Sequence, residues 1–302
     1  MASTDSIVFY DIASAPPLRT FSPNPWKTRL ALNLKGIPYR TEWIDMPDIA
    51  SLRERLGVPA TRTLPDGSPY HTLPVINDPS TGAILGDTFE IALYLDRTYP
   101  CPTYPVLILP NTTGLTAAFN AHIDGLFTKY VALCDQMPWD PRIADTVKSI
   151  FAQRFGITSY EDLQLKGEAR EQTLAALESA LGELAKAYRH TGGTTDYVWR
   201  PTGTESALAQ RPPPGREQTG PYLDGERPAY ADCIVGAWLK MMEACMPPEE
   251  WARVRTWQGG LWGGVVDGLE SICSVDKRRR LETKVRAMAD EDEAHQDTDE
   301  QL

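Results

Sequence analysis

Hydrophobic and polar positions in the first hundred residues follow two different periods. Short apolar runs such as residues 7–12 (IVFYDI) are typical of strands, whereas residues 25–35 carry a helical apolar stripe that Gly36 ends. The pattern predicts strands over 7–12, 39–44, 71–77 and 83–85, and helices over 25–35, over 48–56 and from Asp87 or Thr88 to Tyr99. Strands and helices mixed in this way indicate an α/β domain.

The period becomes mostly helical after a run of prolines at positions 100, 102 and 105, so we place a domain boundary between residues 104 and 105. Helices are predicted over 112–135, 145–155, 159–188, 229–245 and 277–288. Residues 190–228 are rich in Gly, Pro and Thr and are predicted to form an exposed insertion. The expected organisation is an α/β domain (1–104), an all-α domain (105–289) and a tail (290–302).

Charge and hydropathy disfavour two classes of protein, those that bind nucleic acid and those that span a membrane. Of the net charge of −11, seven negative charges lie within residues 290–300 with no Lys or Arg among them, so we expect a disordered acidic tail over 290–302. No basic patch remains to neutralise phosphates, which disfavours nucleic-acid binding. No apolar stretch reaches the length of a membrane span, and the first residues lack a signal-peptide pattern, so a cytoplasmic location is expected.

The five cysteines form no CxxC pair and have no metal-ligand spacing with the four histidines. We expect reduced thiols that mostly pack in the core, no metal site and no catalytic cysteine.

Three short motifs occur in a defined order. Ser22-Pro23-Asn24-Pro25 opens a helix, Thr72-Leu73-Pro74-Val75 begins a strand, and Asp87-Thr88 opens another helix. This order resembles the glutathione transferases. The stretch PYLDGERPAYADCIVGAWL also resembles the family's buried helix entry, and FSPNPWKTRLALNLKGIPYRTEWID is similar to the fungal FuA class and, more distantly, to bacterial β-etherases.

The resemblance implies an N-terminal thioredoxin-like domain that binds glutathione, an all-helical domain that supplies a second-substrate pocket, and a homodimer. The chain departs from the family pattern at two places. One is the insertion over 190–228, and the other is Ala229, because the family's helix cap is usually Ser or Thr. The resemblance also implies that Ser22 donates a hydrogen bond to the glutathione thiolate.

The first motif has two interpretations. If Asn24 is the N-cap and Pro25 the first helical residue, the backbone amides of Trp26 and Lys27 and the positive end of the helix dipole face the loop that holds Ser22. Ser22 and Asn24 would then be catalytic. Alternatively both residues only cap the helix, since Ser and Asn are common there whatever the function.

The other two motifs would bind the rest of glutathione. The family has a cis bond before Pro74, and Val75 would pair with the cysteinyl backbone like an added strand. Thr88 would bind the γ-glutamyl carboxylate and Asp87 the γ-glutamyl ammonium, or the pair would only form a capping box with Glu90.

The sequence does not decide which residue binds the glycyl carboxylate or which residues line the acceptor pocket. The glycyl carboxylate requires a cation, for which His71, Lys27, Arg53 and Arg40 are candidates. Phe21 and Trp26 are candidates to line the acceptor pocket, although packing in the core is the favoured alternative for Trp26.

The leading hypothesis is an enzyme that uses glutathione as substrate, without a metal, and attacks a hydrophobic or aromatic electrophile by conjugation or ether cleavage. The alternatives are a non-catalytic protein that binds apolar ligands and a scaffold on the same fold.

Overall fold

The computed structural model describes residues 6–16, 19–188, 222–223 and 227–275. The predicted insertion over 190–228 lies almost entirely outside these residues, and the predicted helix over 277–288 and acidic tail over 290–302 lie entirely outside them.

A mixed four-stranded sheet forms the first part of the chain. Its order is β2-β1-β5-β6, with β1 parallel to β2 and antiparallel to β5, which is antiparallel to β6. The strands are β1 (Ile7–Ile12), β2 (Tyr39–Ile44), β5 (Val75–Asp78) and β6 (Ala83–Gly86), and a separate hairpin of β3 (Arg62–Thr63) and β4 (Pro69–Tyr70) precedes β5. Every residue of β1 is buried, because helices and strands cover this strand on all sides.

Three helices complete the α/β part: α1 (Pro23–Lys35), α2 (Ile49–Arg55), which follows a 3₁₀ turn over Met46–Asp48, and α3 (Thr88–Thr98). The prediction of a strand over 71–77 was wrong for its first half. Residues 71–74 form an extended segment outside the sheet, since Pro74 has no N–H to donate to a ladder. The hairpin β3–β4 was not predicted.

The second part is helical throughout the described residues. Its helices are α4 (Thr113–Thr128), α5 (Ala144–Phe155), α6 (Gly167–Tyr188), α7 (Tyr230–Cys245) and α8 (Pro248–Leu269), with 3₁₀ turns over Val131–Leu133, Tyr160–Leu163 and Glu270–Ile272. Two predicted helices were too long. The one over 112–135 ends at Thr128, and the one over 159–188 is a 3₁₀ turn followed by α6, separated near Gly167, which has φ 54°.

One continuous hydrophobic core joins the two parts. Helix α7 is buried nearly all round and packs against α1, so the α/β and helical parts share an interface rather than a flexible hinge. Within the described residues, no helix is long and apolar enough to cross a membrane.

Asp232 holds the start of this central helix. Its carboxylate accepts hydrogen bonds from the N–H of Ala229 at 2.9 Å and of Leu223 at 2.7 Å, and the side chain is fully buried. The bond to Ala229 is the half of a capping box that runs from the third helical residue back to the N-cap N–H, and it does not depend on the side chain of Ala229.

Asp232→Ala is expected to lower the free energy of unfolding by about 2 kcal/mol, because it leaves two buried backbone donors without acceptors. Urea denaturation would measure the change. Asp145→Ala is the control, since Asp145 is exposed in the first turn of α5 and its loss is expected to cost less than about 0.5 kcal/mol. Equal effects of the two substitutions would contradict the structural role of Asp232.

Candidate functional site

A cleft lies between the α/β part and the helical part. The α/β wall contributes the start of α1, the hairpin and the segment before β5, and the helical wall contributes α4, α5 and α7. The polar residues on these walls are Ser22, Asn24, Arg62, Tyr70, His71, Thr72, Asp124, Thr128 and Arg154. The cleft therefore combines a polar wall with apolar side chains from both parts of the chain.

The N-terminus of α1 opens into this cleft. Ser22, not Asn24, is the N-cap, and Pro23 is the first helical residue, so the sequence-based position of the cap was wrong by two residues. The N–H of Trp26 is not free, because it donates to the carbonyl of Ser22 at 3.2 Å. Since Pro23 and Pro25 have no N–H, the backbone of Asn24 carries the N–H that this first turn leaves without an intrahelical acceptor.

The Ser22 side chain is free to act as a donor. A cap side chain normally accepts from the N–H of the second or third helical residue, but the third residue here is Pro25. The hydroxyl of Ser22 makes no capping hydrogen bond, and Ser22 lines the cleft. Ser22 therefore occupies the cap position without the side-chain hydrogen bond of a cap, and its catalytic role stays a prediction.

Residues 71–74, the segment before β5, lie on the polar wall of the cleft. The Leu73–Pro74 peptide bond is cis, as the resemblance implied, and Thr72 and Leu73 line the cleft. The prediction for Val75 was wrong. Val75 is fully buried and is registered against Tyr10 on one side and Gly86 on the other, so its backbone has no free edge for a ligand. Leu73, which was not among the predicted site residues, lines the cleft although most of its side chain is buried.

Asp87 and Thr88 begin α3 beside this segment but do not line the cleft itself. The Asp87 carboxylate caps the helix by accepting from the N–H of Phe89 at 2.9 Å. Its backbone has φ 84° and ψ 127°, a conformation that residues other than glycine rarely adopt. Non-glycine residues in such conformations concentrate at ligand sites, so the binding role of Asp87 stays a prediction beside its capping role. Thr88 is buried, and its carbonyl accepts from the Tyr230 hydroxyl at 2.8 Å.

Lys27 was a candidate to bind the glycyl carboxylate in the cleft, but its side chain does not reach the cleft. Its ammonium is fully buried, pairs with the Asp124 carboxylate at 2.5 Å and donates to Asn120 Oδ1 at 2.9 Å. Burial lowers the pKa of Lys27, and the Asp124 carboxylate opposes that shift. The positive charge therefore joins α1 to α4 instead of facing a ligand.

The two arginine candidates are also occupied elsewhere. The buried Arg53 guanidinium donates to the carbonyls of Val58, Pro59 and Thr72, the last at 2.5 Å. It thus supports the segment before β5 from behind. Arg40 is exposed on β2 and pairs with Glu42, outside the cleft.

Three basic side chains line the cleft: His71, which was predicted, and Arg62 and Arg154, which were not. The His71 Nδ1 is buried and makes no hydrogen bond among the described residues. The Pro65-Asp66-Gly67 turn signal would have predicted the hairpin that brings Arg62 to the cleft. No sequence signal distinguished Arg154 from the other charged residues of the helical part.

Apolar side chains from both parts of the chain line the cleft. Phe21, as predicted, lines it, together with Ile12, Met46, Ile49, Val131, Ile150, Phe151, Phe155, Trp238 and Met241. Trp26 takes the core position and not the acceptor-pocket position: its ring is buried outside the cleft, with the Lys240 ammonium 5.6 Å from the ring centroid. Its position on α1 faces the interface with α7 rather than the cleft.

The cysteines are not part of the site. None of them lines the cleft, and Cys134, Cys233, Cys245 and Cys273 are buried, whereas Cys101 is exposed. Burial raises the pKa of Cys134 to about 12 and that of Cys273 to about 11, which disfavours the thiolate. Among the described residues, no group of three His, Cys, Asp or Glu side chains has the arrangement to hold a metal ion.

Comparison with known proteins identifies relatives of both parts. Residues 21–98 match the glutathione S-transferase N-terminal domain, and residues 139–271 match the glutathione S-transferase C-terminal domain. The structure of CsGST63524 of Ceriporiopsis subvermispora, determined in complex with glutathione, is 32% identical, covers 90% of this chain and 99% of its own, and superposes with a TM-score of 0.73.

Two further fungal proteins are similar over nearly the whole chain. The glutathione transferase GSTFuA3 of Phanerochaete chrysosporium is 28% identical over 91% of this chain and 100% of its own, with a TM-score of 0.70. The glutathione S-transferase-like protein ustS of Aspergillus flavus is 28% identical over 87% of this chain and 90% of its own. The similarity to GSTFuA3 confirms the resemblance to the FuA class.

Proposed function

Because the chain belongs to the glutathione S-transferase family, we propose that it binds glutathione in this cleft and activates the thiol for attack on a hydrophobic or aromatic electrophile. The observation that carries the proposal is the hydroxyl of Ser22. Ser22 lies at the N-terminus of α1 and lines the cleft, and its hydroxyl makes no capping hydrogen bond.

The thiol would lie against Ser22. A thiol with a pKa of about 8.5 is mostly protonated at neutral pH, and lowering that pKa by one unit requires about 1.4 kcal/mol. A charge-assisted hydrogen bond from Ser22 and the free N–H of Asn24 at the positive end of the helix dipole are together sufficient for one to two such units. No general base is required.

The rest of glutathione would extend along the segment before β5. In this proposal the cysteinyl backbone pairs with the free backbone of Leu73, the γ-glutamyl ammonium lies at Asp87, and the γ-glutamyl carboxylate lies at Thr88 and the N-terminus of α3. The glycyl carboxylate would bind His71 or Arg62, the cationic candidates on the same wall.

The first test is glutathione binding by calorimetry and thiolate absorbance against pH, for the wild type and for Ser22→Ala. The variant is expected to bind glutathione with a thiol pKa raised by about one unit or more, and to lose about tenfold in kcat/KM at neutral pH. Ser51→Ala is the matched control, because Ser51 is exposed on α2 and outside the cleft.

Absence of glutathione binding by the wild type at millimolar concentration would reject the transferase mechanism and favour a binding protein or scaffold. An unchanged thiol pKa in Ser22→Ala would remove Ser22 from the mechanism.

The second substrate follows from the apolar wall, which suits a hydrophobic or aromatic electrophile. Conjugation and glutathione-dependent ether cleavage share the same thiolate and differ in the leaving group. We also propose a cytoplasmic homodimer, which sedimentation of the purified protein and cell fractionation would test.

A further inference from the structure

Arg154 has an unusual environment at the helical side of the cleft. Its guanidinium carbon lies 5.5 Å from the ring centroid of Tyr70, 5.5 Å from that of Phe155 and 5.9 Å from that of Phe151. Tyr70 belongs to the hairpin of the α/β part, and the two phenylalanines belong to α5. Three aromatic rings therefore hold one cation at the mouth between the two parts.

No carboxylate lies within ion-pair distance of Arg154 among the residues that the structure describes. Other arginines of low exposure are matched by anions or carbonyls: Arg29 pairs with Asp11 at 2.7 Å, and Arg170 pairs with Asp135 and Glu250. A guanidinium has five N–H donors, and aromatic faces satisfy its charge but not these donors. The donors of Arg154 remain available to a ligand in the cleft.

We propose that Arg154 binds a carboxylate on the second substrate, so that the site prefers aromatic electrophiles that carry a carboxylate beside the ring. This inference rests on the proposed function and specifies its substrate class. The apolar side chains next to Arg154 would pack on the ring, and the guanidinium would bind the carboxylate through two parallel hydrogen bonds.

The net charge of the protein bears on the proposed preference for a substrate with a carboxylate. At a net charge of −11 the chain repels anions on average, so an anionic substrate gains only from local cations. Arg62 and His71 lie on the same wall as the segment before β5, where the proposal places glutathione. Arg154 lies on α5, the wall that faces the electrophile.

The reaction would be aromatic substitution. With a chlorinated aromatic ring as the electrophile, the thiolate sulfur attacks the ring carbon that bears the chlorine. A C–S bond forms, and the C–Cl bond breaks with its electron pair leaving on chloride. The thiol proton has already passed to solvent. The carboxylate takes no part in bond changes and serves only to bind and orient the ring.

The test compares two probes that differ in charge, 3,5-dinitrobenzoate and 3,5-dinitrobenzamide, neither of which has a leaving group. Their dissociation constants are measured by calorimetry with and without glutathione for the wild type, Arg154→Met and Arg154→Lys. Arg154→Met is expected to lose about tenfold to a hundredfold in affinity for the benzoate relative to the benzamide, because one charge-assisted contact is removed. Arg154→Lys is expected to retain part of the preference.

Arg142→Met is the matched control, since Arg142 is largely exposed, pairs with Asp140 and lies outside the cleft. Its ratio of benzoate to benzamide affinity should equal that of the wild type. The kcat/KM ratio for 4-chloro-3,5-dinitrobenzoate and the corresponding amide then tests the same preference during turnover.

Two results would overturn the inference. An equal loss of affinity for both probes in Arg154→Met would mean that Arg154 only packs the hairpin against α5. A rise in the dissociation constant of glutathione with an unchanged probe ratio would assign Arg154 to the glycyl carboxylate. The probe binding needs no turnover, so a failure of the proposed catalysis is distinguishable from a failure of this inference.

Discussion

Asp11→Ala is expected to lower the free energy of unfolding by about 3–5 kcal/mol, because it leaves a buried guanidinium without its anion. Asp11 and Arg29 pair at 2.7 Å, and neither side chain is exposed to solvent. The remaining partners of Arg29 are neutral: the Tyr39 hydroxyl and the Thr41 hydroxyl, both at 3.2 Å, with the Phe9 ring 4.9 Å away.

The Arg29 guanidinium also donates to the Val275 carbonyl at 3.3 Å, so the pair joins β1, β2 and α1 to the last described residues. Disturbing it should therefore loosen the sheet and this C-terminal contact together. Urea denaturation followed by tryptophan fluorescence would measure the change.

Glu42→Ala is the control for Asp11→Ala. Glu42 pairs with Arg40 on the exposed side of β2, and exposed pairs contribute less than about 1 kcal/mol. If both substitutions cost the same free energy, the buried pair does not have the role that the structure indicates.

Lys27→Met is the second substitution with a large expected effect, about 3 kcal/mol of unfolding free energy. The Lys27 ammonium is fully buried, whereas the Asp124 side chain keeps 23% exposure, so Asp124 would lose its cation but retain some solvent and the Trp238 Nε1 donor at 2.7 Å. This partial compensation places the cost at the lower end of the range for broken buried pairs.

The same variant decides between the two roles considered for Lys27. If the ammonium only joins α1 to α4, stability falls and glutathione still binds to the fraction that is folded. If it binds the glycyl carboxylate, the glutathione dissociation constant rises at unchanged stability. The double variant Lys27→Met/Asp124→Leu is expected to recover part of the loss, because no unpaired charge then remains in the interface while Trp238 Nε1 loses its acceptor.

Lys186→Met controls for the loss of one lysine charge. Lys186 pairs with Glu183 on the exposed face of α6, and its removal is expected to change stability by less than about 0.5 kcal/mol. A comparable loss in Lys27→Met and Lys186→Met would refute the interface role.

Regular elements with strong periodicity were predictable. The strands Ile7–Ile12 and Tyr39–Ile44 have the predicted bounds, and the buried helix Tyr230–Cys245 begins within one residue of its prediction. The patterns of Ile7–Ile12 and Tyr230–Cys245 are unambiguous because these two elements bury most of their residues, whereas Tyr39–Ile44 is only partly buried. The helix predicted over 159–188 was too long, because its apolar pattern continues across Gly167. The positive φ of Gly167 does not show in the periodicity of the sequence.

The site was predictable only in part. Ser22, Asn24, His71 and Phe21 do line the cleft, but the structure excludes Trp26, Lys27 and Val75 from it. These three residues lie in or directly after segments that contribute to the site, and a motif shows which segment is near a ligand without showing which way each side chain points. Only two residues, about half a helical turn, separate Asn24, which lines the cleft, from Trp26, which lies in the interface.

By itself, the sequence determined the order of the longer strands and helices, the family resemblance and the presence of a helix next to Ser22, because these depend on neighbouring residues and on local periodicity. Only the tertiary structure decided that Lys27 pairs with Asp124, that Leu73 rather than Val75 faces the cleft, and that Arg154 meets Tyr70. These contacts join residues that lie far apart in the chain or depend on which side of a strand is already paired, and neither property is contained in a local pattern.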